Sequence, residues 1–171
     1  SIELCQSRQS RLRQRMQEIK TDRLMLTSRQ NVHWLTGFWA HPLMSTAVIL
    51  DLDGHCTLFA PNREPDHHAW SRVEIFEASS LCTLRQNQIE LISEKIDRPE
   101  KITSTEFSDC PVHFREKMAN KVIDIEPKIL KLRRSKDKDE VDMLRHAIGC
   151  SHAMYTRARE IIEPGITELE V

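Results

Sequence analysis

Eight histidines, 26 acidic side chains and five cysteines are the residues of this chain that could do chemistry, so hydrolytic, metal and thiol sites come first. His67 and His68 are adjacent, which points their rings apart on a strand or a helix alike. His146 and His152 are six apart and do not share a helix face as a metal-binding pair would. Asp51, Glu77 and Asp109 are carboxylates that a sheet could gather into a nuclease-like cluster, but they fall in turns or beside charged neighbours. Asp51 and Asp53 suggest a calcium loop, yet Gly54 comes too early and no later Glu closes it. Four glycines are too few for a phosphate-cradling loop. Cys5, Cys56, Cys82, Cys110 and Cys150 are odd in number, widely spaced and without zinc or redox pairing, and they read as free thiols of a reducing cytoplasm. Residue types and spacing alone show no active site: no catalytic residue and no metal ligand.

The elements that would position any site are clearer. At 171 residues, 39% hydrophobic and 30% charged, the chain has globular composition and can form one sizeable domain, or one plus part of a second. A formal charge of −1 excludes a general polyanion binder. No apolar run is long enough to span a bilayer, and the start at Ser1, without a Met or a basic signal region, reads as a processed or cloned end. Leu12, Met16 and Ile19 recur at helical spacing, with Arg8, Arg11 and Arg15 on what reads as a solvated face. Residues 23–27 read as a short buried strand. In "AVILDLDGHCTLFA" two apolar runs flank Asp53-Gly54, which predicts a two-residue type I′ hairpin pairing 48–52 with 55–59. Its first strand is apolar at consecutive positions and should be covered on both faces. Residues 73–78 read as a strand and 84–96 as a helix. "KITSTEF" and "KVIDIE" read as further strands around a short helix after Pro111. This order describes an α/β layer fold with a mixed sheet. Residues 127–134 look like a boundary. Asp137 and Glu140 then fit a capping box that opens a helix over 138–162, roughly 37 Å long, with an apolar stripe that needs a partner surface. Glu163, Pro164 and Gly165 stop that helix, and Thr167 looks like the start of another.

Three stretches carry a resemblance. "SRQNVHWLTGF" (residues 28–38) resembles the Asn-x-x-Tyr-Leu-Thr-Gly-Phe segment of creatinase and prolidase N-terminal domains, with Trp34 where that family often has Tyr. "LRRSKDKDEVDMLRHA" (residues 132–147) resembles its Leu-Arg-x-x-Lys-Ser-x-x-Glu-Ile-x-x-Leu-Arg-x-Ala. Leu132, Arg133, Lys136, Glu140, Leu144, Arg145 and Ala147 match; Asp137 replaces the capping Ser and Val141 the Ile. "EPGITELEV" (residues 163–171) is similar to the Pro-Gly-x-Thr-Glu stretch that follows. Their order and distances carry the resemblance over almost the whole chain, although residues 61–124 match only in pattern.

The resemblance implies a three-layer α/β/α mixed sheet of ribonuclease H-like type over residues 1–130. Residues 131–171 would be a linker and the first helix of a truncated "pita-bread" catalytic domain. The two-metal site of that domain, two Asp, one His and two Glu, would lie beyond Val171, so this chain should be inert and hold no cofactor. The parent would be a Xaa-Pro dipeptidase or aminopeptidase with paired Mn²⁺, Co²⁺ or Zn²⁺ activating water against the bond before proline. The implied partners are its own catalytic domain, a second subunit in at least a dimer, and proline-containing peptides, with no nucleic acid and no membrane, in the cytoplasm. A creatinase-type amidinohydrolase is one alternative; it uses an Arg from this domain, and "FWAHPLMST" has none. A non-enzymatic, chaperone-like binding module of the same fold is another. In related enzymes residues just past Leu-Thr-Gly-Phe reach a neighbouring subunit's active site. Phe38, Trp39 and His41 are therefore the expected substrate-binding residues in trans, with Phe38 packing inward.

Overall fold

The computed structural model describes residues 1–66, 69–78, 85–97, 100–118 and 122–170, apart from the side chains of 85–87. His67, His68 and Cys82 lie outside the described residues. The chain divides into two compact units, Ser1–Arg134 and Ser135–Val171.

The first unit is built on a six-stranded sheet. Its strands are β1 (Arg23–Leu26), β2 (Ala47–Asp51), β3 (Cys56–Pro61), β4 (Arg72–Phe76), β5 (Thr103–Thr105) and β6 (Val122–Asp124). They lie in the order β4-β3-β2-β1-β5-β6. β1–β2 and β2–β3 pair antiparallel; β3–β4, β1–β5 and β5–β6 pair parallel. Because strand side chains alternate, the two faces part cleanly. Leu24, Leu26, Val48, Leu50, Cys56, Leu58 and Ala60 face helices α1 (Ile2–Glu18), α2 (Arg29–Thr36) and α5 (Glu126–Arg134). Met25, Ala47, Ile49, Phe59 and Phe76 face α3 (Arg85–Glu94) and α4 (Val112–Lys117). This is the expected three-layer mixed α/β arrangement, with β2 buried at every position.

Four local features of the first unit differ from the sequence reading. Arg8 is not on a solvated face: it is buried, and its Nη1 donates to the Trp34 carbonyl at 3.1 Å. The hairpin is not a two-residue type I′ turn. Asp51 N–H donates to His55 O at 2.8 Å and Gly54 N–H to Asp51 O at 3.0 Å. Only Gly54 of the turn has positive φ, at 103°. That is a type I turn closed by a glycine bulge, and it wins because the Asp53 carboxylate accepts the His55 amide at 3.0 Å without leaving negative φ. Third, the motif at 28–38 is a helix. Ser28 Oγ caps it by accepting the Asn31 amide at 3.3 Å, and Gly37, at φ 81°, closes it by donating to His33 O at 2.7 Å. Finally, residues 127–134 are helical, with Ile129 in the core and Leu132 against it.

The second unit consists of α6 (Lys138–Ile161) and the turns after it. The Glu140 carboxylate accepts the Asp137 amide at 3.0 Å, completing the capping box. Met143, Leu144, Ile148, Met154 and Tyr155 are exposed, since one helix has no second layer of its own to bury them. Instead of a further helix, residues 167–170 form a turn in which Glu170 accepts the Thr167 amide and hydroxyl at 2.8 and 2.7 Å.

Candidate functional site

The motif residues converge where β1 and β5 end. Glu106, just past β5 and 1% exposed, is a buried carboxylate in need of donors. It finds them all at the entry to α2: the Thr27 amide (2.6 Å) and hydroxyl (3.3 Å), the Ser28 amide and hydroxyl (3.0 Å), and the Asn31 side-chain amide. Asn31 Oδ1 in turn accepts from Arg133 Nη1 at 2.6 Å. The two motifs, 102 residues apart in sequence, are thus joined by one hydrogen bond. At the other end of α2, Thr36 Oγ1 donates to Val32 O at 2.7 Å and accepts the Phe38 amide at 3.1 Å. That hydroxyl, with the Gly37 cap, sets the direction in which the next residues leave.

Those residues are the ones expected at the site. Phe38 is half-buried against the core, as expected. Trp39 projects, 52% exposed, yet its ring is held. The Arg29 guanidinium lies 4.4 Å from the ring centroid, and His33 meets it edge-on at 5.1 Å. Together they make a rigid aromatic platform on α2. His41 is exposed, and its Nδ1 accepts the Leu43 amide at 3.3 Å, leaving Nε2 to carry the proton of the neutral ring. Arg29 and His33 were not singled out in the sequence, although their spacing of four puts them on one helix face; the unrecognised helix hid that signal. Glu106 had no signal at all, because only the sheet brings it to α2.

The other candidates are dispersed. Asp51 stands opposite Arg23 at the start of β1, whereas Asp109 follows β5, so the two lie at opposite ends of the sheet. Glu77 and Asp109 share an end, but their strands are four positions apart, about 19 Å at ~4.8 Å per strand. Asp51 instead takes Arg23 through Nε at 2.8 Å and Nη2 at 3.3 Å, and Lys101 at 3.0 Å. Burial pushes its carboxyl up, but those two cations outweigh burial and hold it below the usual carboxylate range. Cys5, Cys56, Cys110 and Cys150 are free thiols. Cys56 is pushed up to about 12 by burial and by Cys5 beside it, so it is no nucleophile. Among the described residues one acidic group, Asp137, Asp139 and Glu140, is close enough to share a cation. Its oxygens already serve the start of α6, Glu140 accepting the Asp137 amide and Asp139 the Glu140 amide at 2.9 Å. With no histidine and with capping bonds to keep, it does not fit a dinuclear hydrolytic centre. No helix among the described residues is long and apolar enough to cross a membrane.

Comparison with known proteins agrees with the fold. The model of the creatinase/prolidase N-terminal domain matches residues 8–135. No curated protein matches significantly. Among solved structures, the prolidase from Pyrococcus furiosus superposes with a TM-score of 0.68 at 22% identity, over 92% of this chain and 44% of that one. Dipeptidase PepE from Mycobacterium ulcerans does so with 0.69 at 18% identity, over 99% of this chain and 47% of that one. The creatinase/prolidase N-terminal domain of an X-Pro dipeptidase from Streptococcus pyogenes is similar over 73% of this chain and 98% of its own length, with a TM-score of 0.55 at 13% identity. The chain thus spans less than half of the first two proteins and nearly all of the isolated domain.

Proposed function

The chain belongs to the creatinase/prolidase N-terminal domain family, and from that premise we propose that it is the non-catalytic N-terminal domain of a Xaa-Pro dipeptidase or aminopeptidase. Residues 1–130 form that domain; residues 131–171 are the linker and the first helix of a catalytic domain. The metal ions and the hydrolytic residues belong to that catalytic domain. What this chain supplies is subunit association, in at least a dimer of the cytoplasm, and selection of proline-containing substrates. The observation that carries the reading is Trp39: directly past the family segment, it stands out from the domain and is held by Arg29 and His33. An exposed but rigid indole can cover a proline ring by apolar contact at little entropic cost. His41, beside it, can donate from Nε2 to a substrate carboxylate.

The test uses a protein that joins this domain to its catalytic domain. Trp39→Ala raises KM for a Xaa-Pro dipeptide while kcat stays near the parent value, as loss of ground-state binding requires. Fold stability changes by no more than about 1 kcal/mol, the scale of a surface substitution. A loss of several kcal/mol with unchanged KM would assign Trp39 to the core and end the pocket role. Turnover of creatine, or of no small substrate, would transfer the domain to the amidinohydrolase or binding-module reading.

A further inference from the structure

A cleft of about 150 Å³ lies between the N-terminus of α2 and residues 42–46, and Asp109 and Phe114 also line it. At ~30 Å³ per water it has room for roughly five waters or one small ion. Two of its lining residues carry polar atoms without a partner. Ser45 is only 9% exposed, and its Oγ makes no hydrogen bond. Its position is nonetheless fixed, since its amide donates to Gln88 Oε1 at 2.6 Å, and Gln88 Nε2 holds the Leu43 carbonyl at 3.3 Å. Arg29 Nη1 is likewise buried and unpartnered. Its guanidinium face is spent on Trp39, and stacking of that kind leaves the in-plane N–H groups free to donate. The amides of Arg29 and Gln30, in the first turn of α2, have no acceptor within the helix either.

Donors without acceptors are costly when buried: Arg29 Nη1 can only donate and needs an acceptor, and the Ser45 hydroxyl can donate to the same one. We propose that this cleft binds one oxyanion group, a carboxylate or a phosphate, through Arg29, Ser45 and the first turn of α2. The nearest negative charge does not forbid it. Glu106 is fully engaged by Thr27, Ser28 and Asn31, and Asp109 is exposed at the rim. Asp109 does set a preference, because a second negative charge close by disfavours a dianion more than a monoanion. An occupied site would also tie residues 42–46 to α2 and so steady the segment that carries Trp39.

The ¹⁵N-labelled chain, titrated at constant ionic strength with sodium acetate and separately with inorganic phosphate, tests this. Saturable shifts of the Arg29, Gln30 and Ser45 amides are expected with at least one anion; acetate alone identifies a carboxylate site, phosphate alone a phosphate site. Ser45→Ala, which leaves the Trp39 stack intact, and Arg29→Gln each weaken binding about tenfold, the cost of one charge-assisted hydrogen bond. Asp109→Asn strengthens it, which a merely structural role would not do. Absence of saturable shifts with both anions, or shifts that persist unchanged in Ser45→Ala and Arg29→Gln, would overturn the site.

Discussion

Asp51 shows at the scale of one residue how a side chain that looks chemical can be structural. Arg23, 4% exposed, is a charge that the sheet has taken out of water, and Asp51 is its bidentate partner. Breaking a buried pair is strongly destabilising, and Arg23 would be left with the largely exposed Asp97 carboxylate, 3.5 Å away, so Asp51→Asn should destabilise the first unit by about 3 kcal/mol at neutral pH. Because the native carboxyl is held below its usual range, its contribution is present above the unfolded pKa, about 3.9, and is lost as pH falls through the depressed native value. The difference between parent and Asp51→Asn in urea melts should therefore be constant from pH 7 to 5 and shrink below pH 4. A difference that grows on acidification would mean that Asp51 is not held ionised by Arg23 and Lys101.

At the scale of elements, the turn between β2 and β3 decides the register of the antiparallel half of the sheet. A type I′ turn would need positive φ at both Asp53 and Gly54 and would gain from Asp53→Gly. The observed turn needs it at Gly54 alone, and Asp53 holds the His55 amide. Gly54→Ala should thus cost about 1–2 kcal/mol for the left-handed backbone. The 2.9 Å approach to Arg13 Nη1 adds little, because that side chain can move. Asp53→Gly should bring no gain. Thermal melts of the two variants distinguish the turns; stabilisation by Asp53→Gly would restore the type I′ assignment. The helix at Arg29–Thr36 teaches a related lesson. Its two caps, Ser28 and Gly37, are present in the sequence, but eight residues give little periodicity to read between them.

For the whole molecule, both hydrophobic clusters draw every member from residues up to Leu132. A chain ending at Arg134 should therefore melt within about 2 °C of the full chain, a shift worth less than ~1 kcal/mol at this size; a drop of 10 °C would show that residues 135–171 belong to the same cooperative unit. The full chain, supplied with Mn²⁺, Co²⁺ or Zn²⁺, should release no proline from a Gly-Pro dipeptide above the rate of buffer with metal. Metal-dependent turnover that co-elutes with the purified chain and is abolished in an Asp137→Ala variant would contradict the division of labour proposed above.

What the sequence determined by itself was everything carried by local periodicity and short motifs. That includes the amphipathic helix around Leu12 and Met16, the apolar strand runs on either side of Asp53-Gly54, the Asp137–Glu140 capping box and the family segments at 28–38 and 132–147. These signals lie within one element, where side-chain spacing and backbone geometry are in direct correspondence. Other features were decided only when distant elements met across the sheet. Arg8 is buried because α2 presents a carbonyl to it. Glu106 matters because β5 ends beside the first turn of α2. Trp39 is a platform, not a loose loop residue, because Arg29 and His33 come round on the same helix face to hold it. The physical reason is the same in each case. A charge or a ring acquires its role from the partner that satisfies it, and that partner is chosen by packing, not by neighbourhood in the chain.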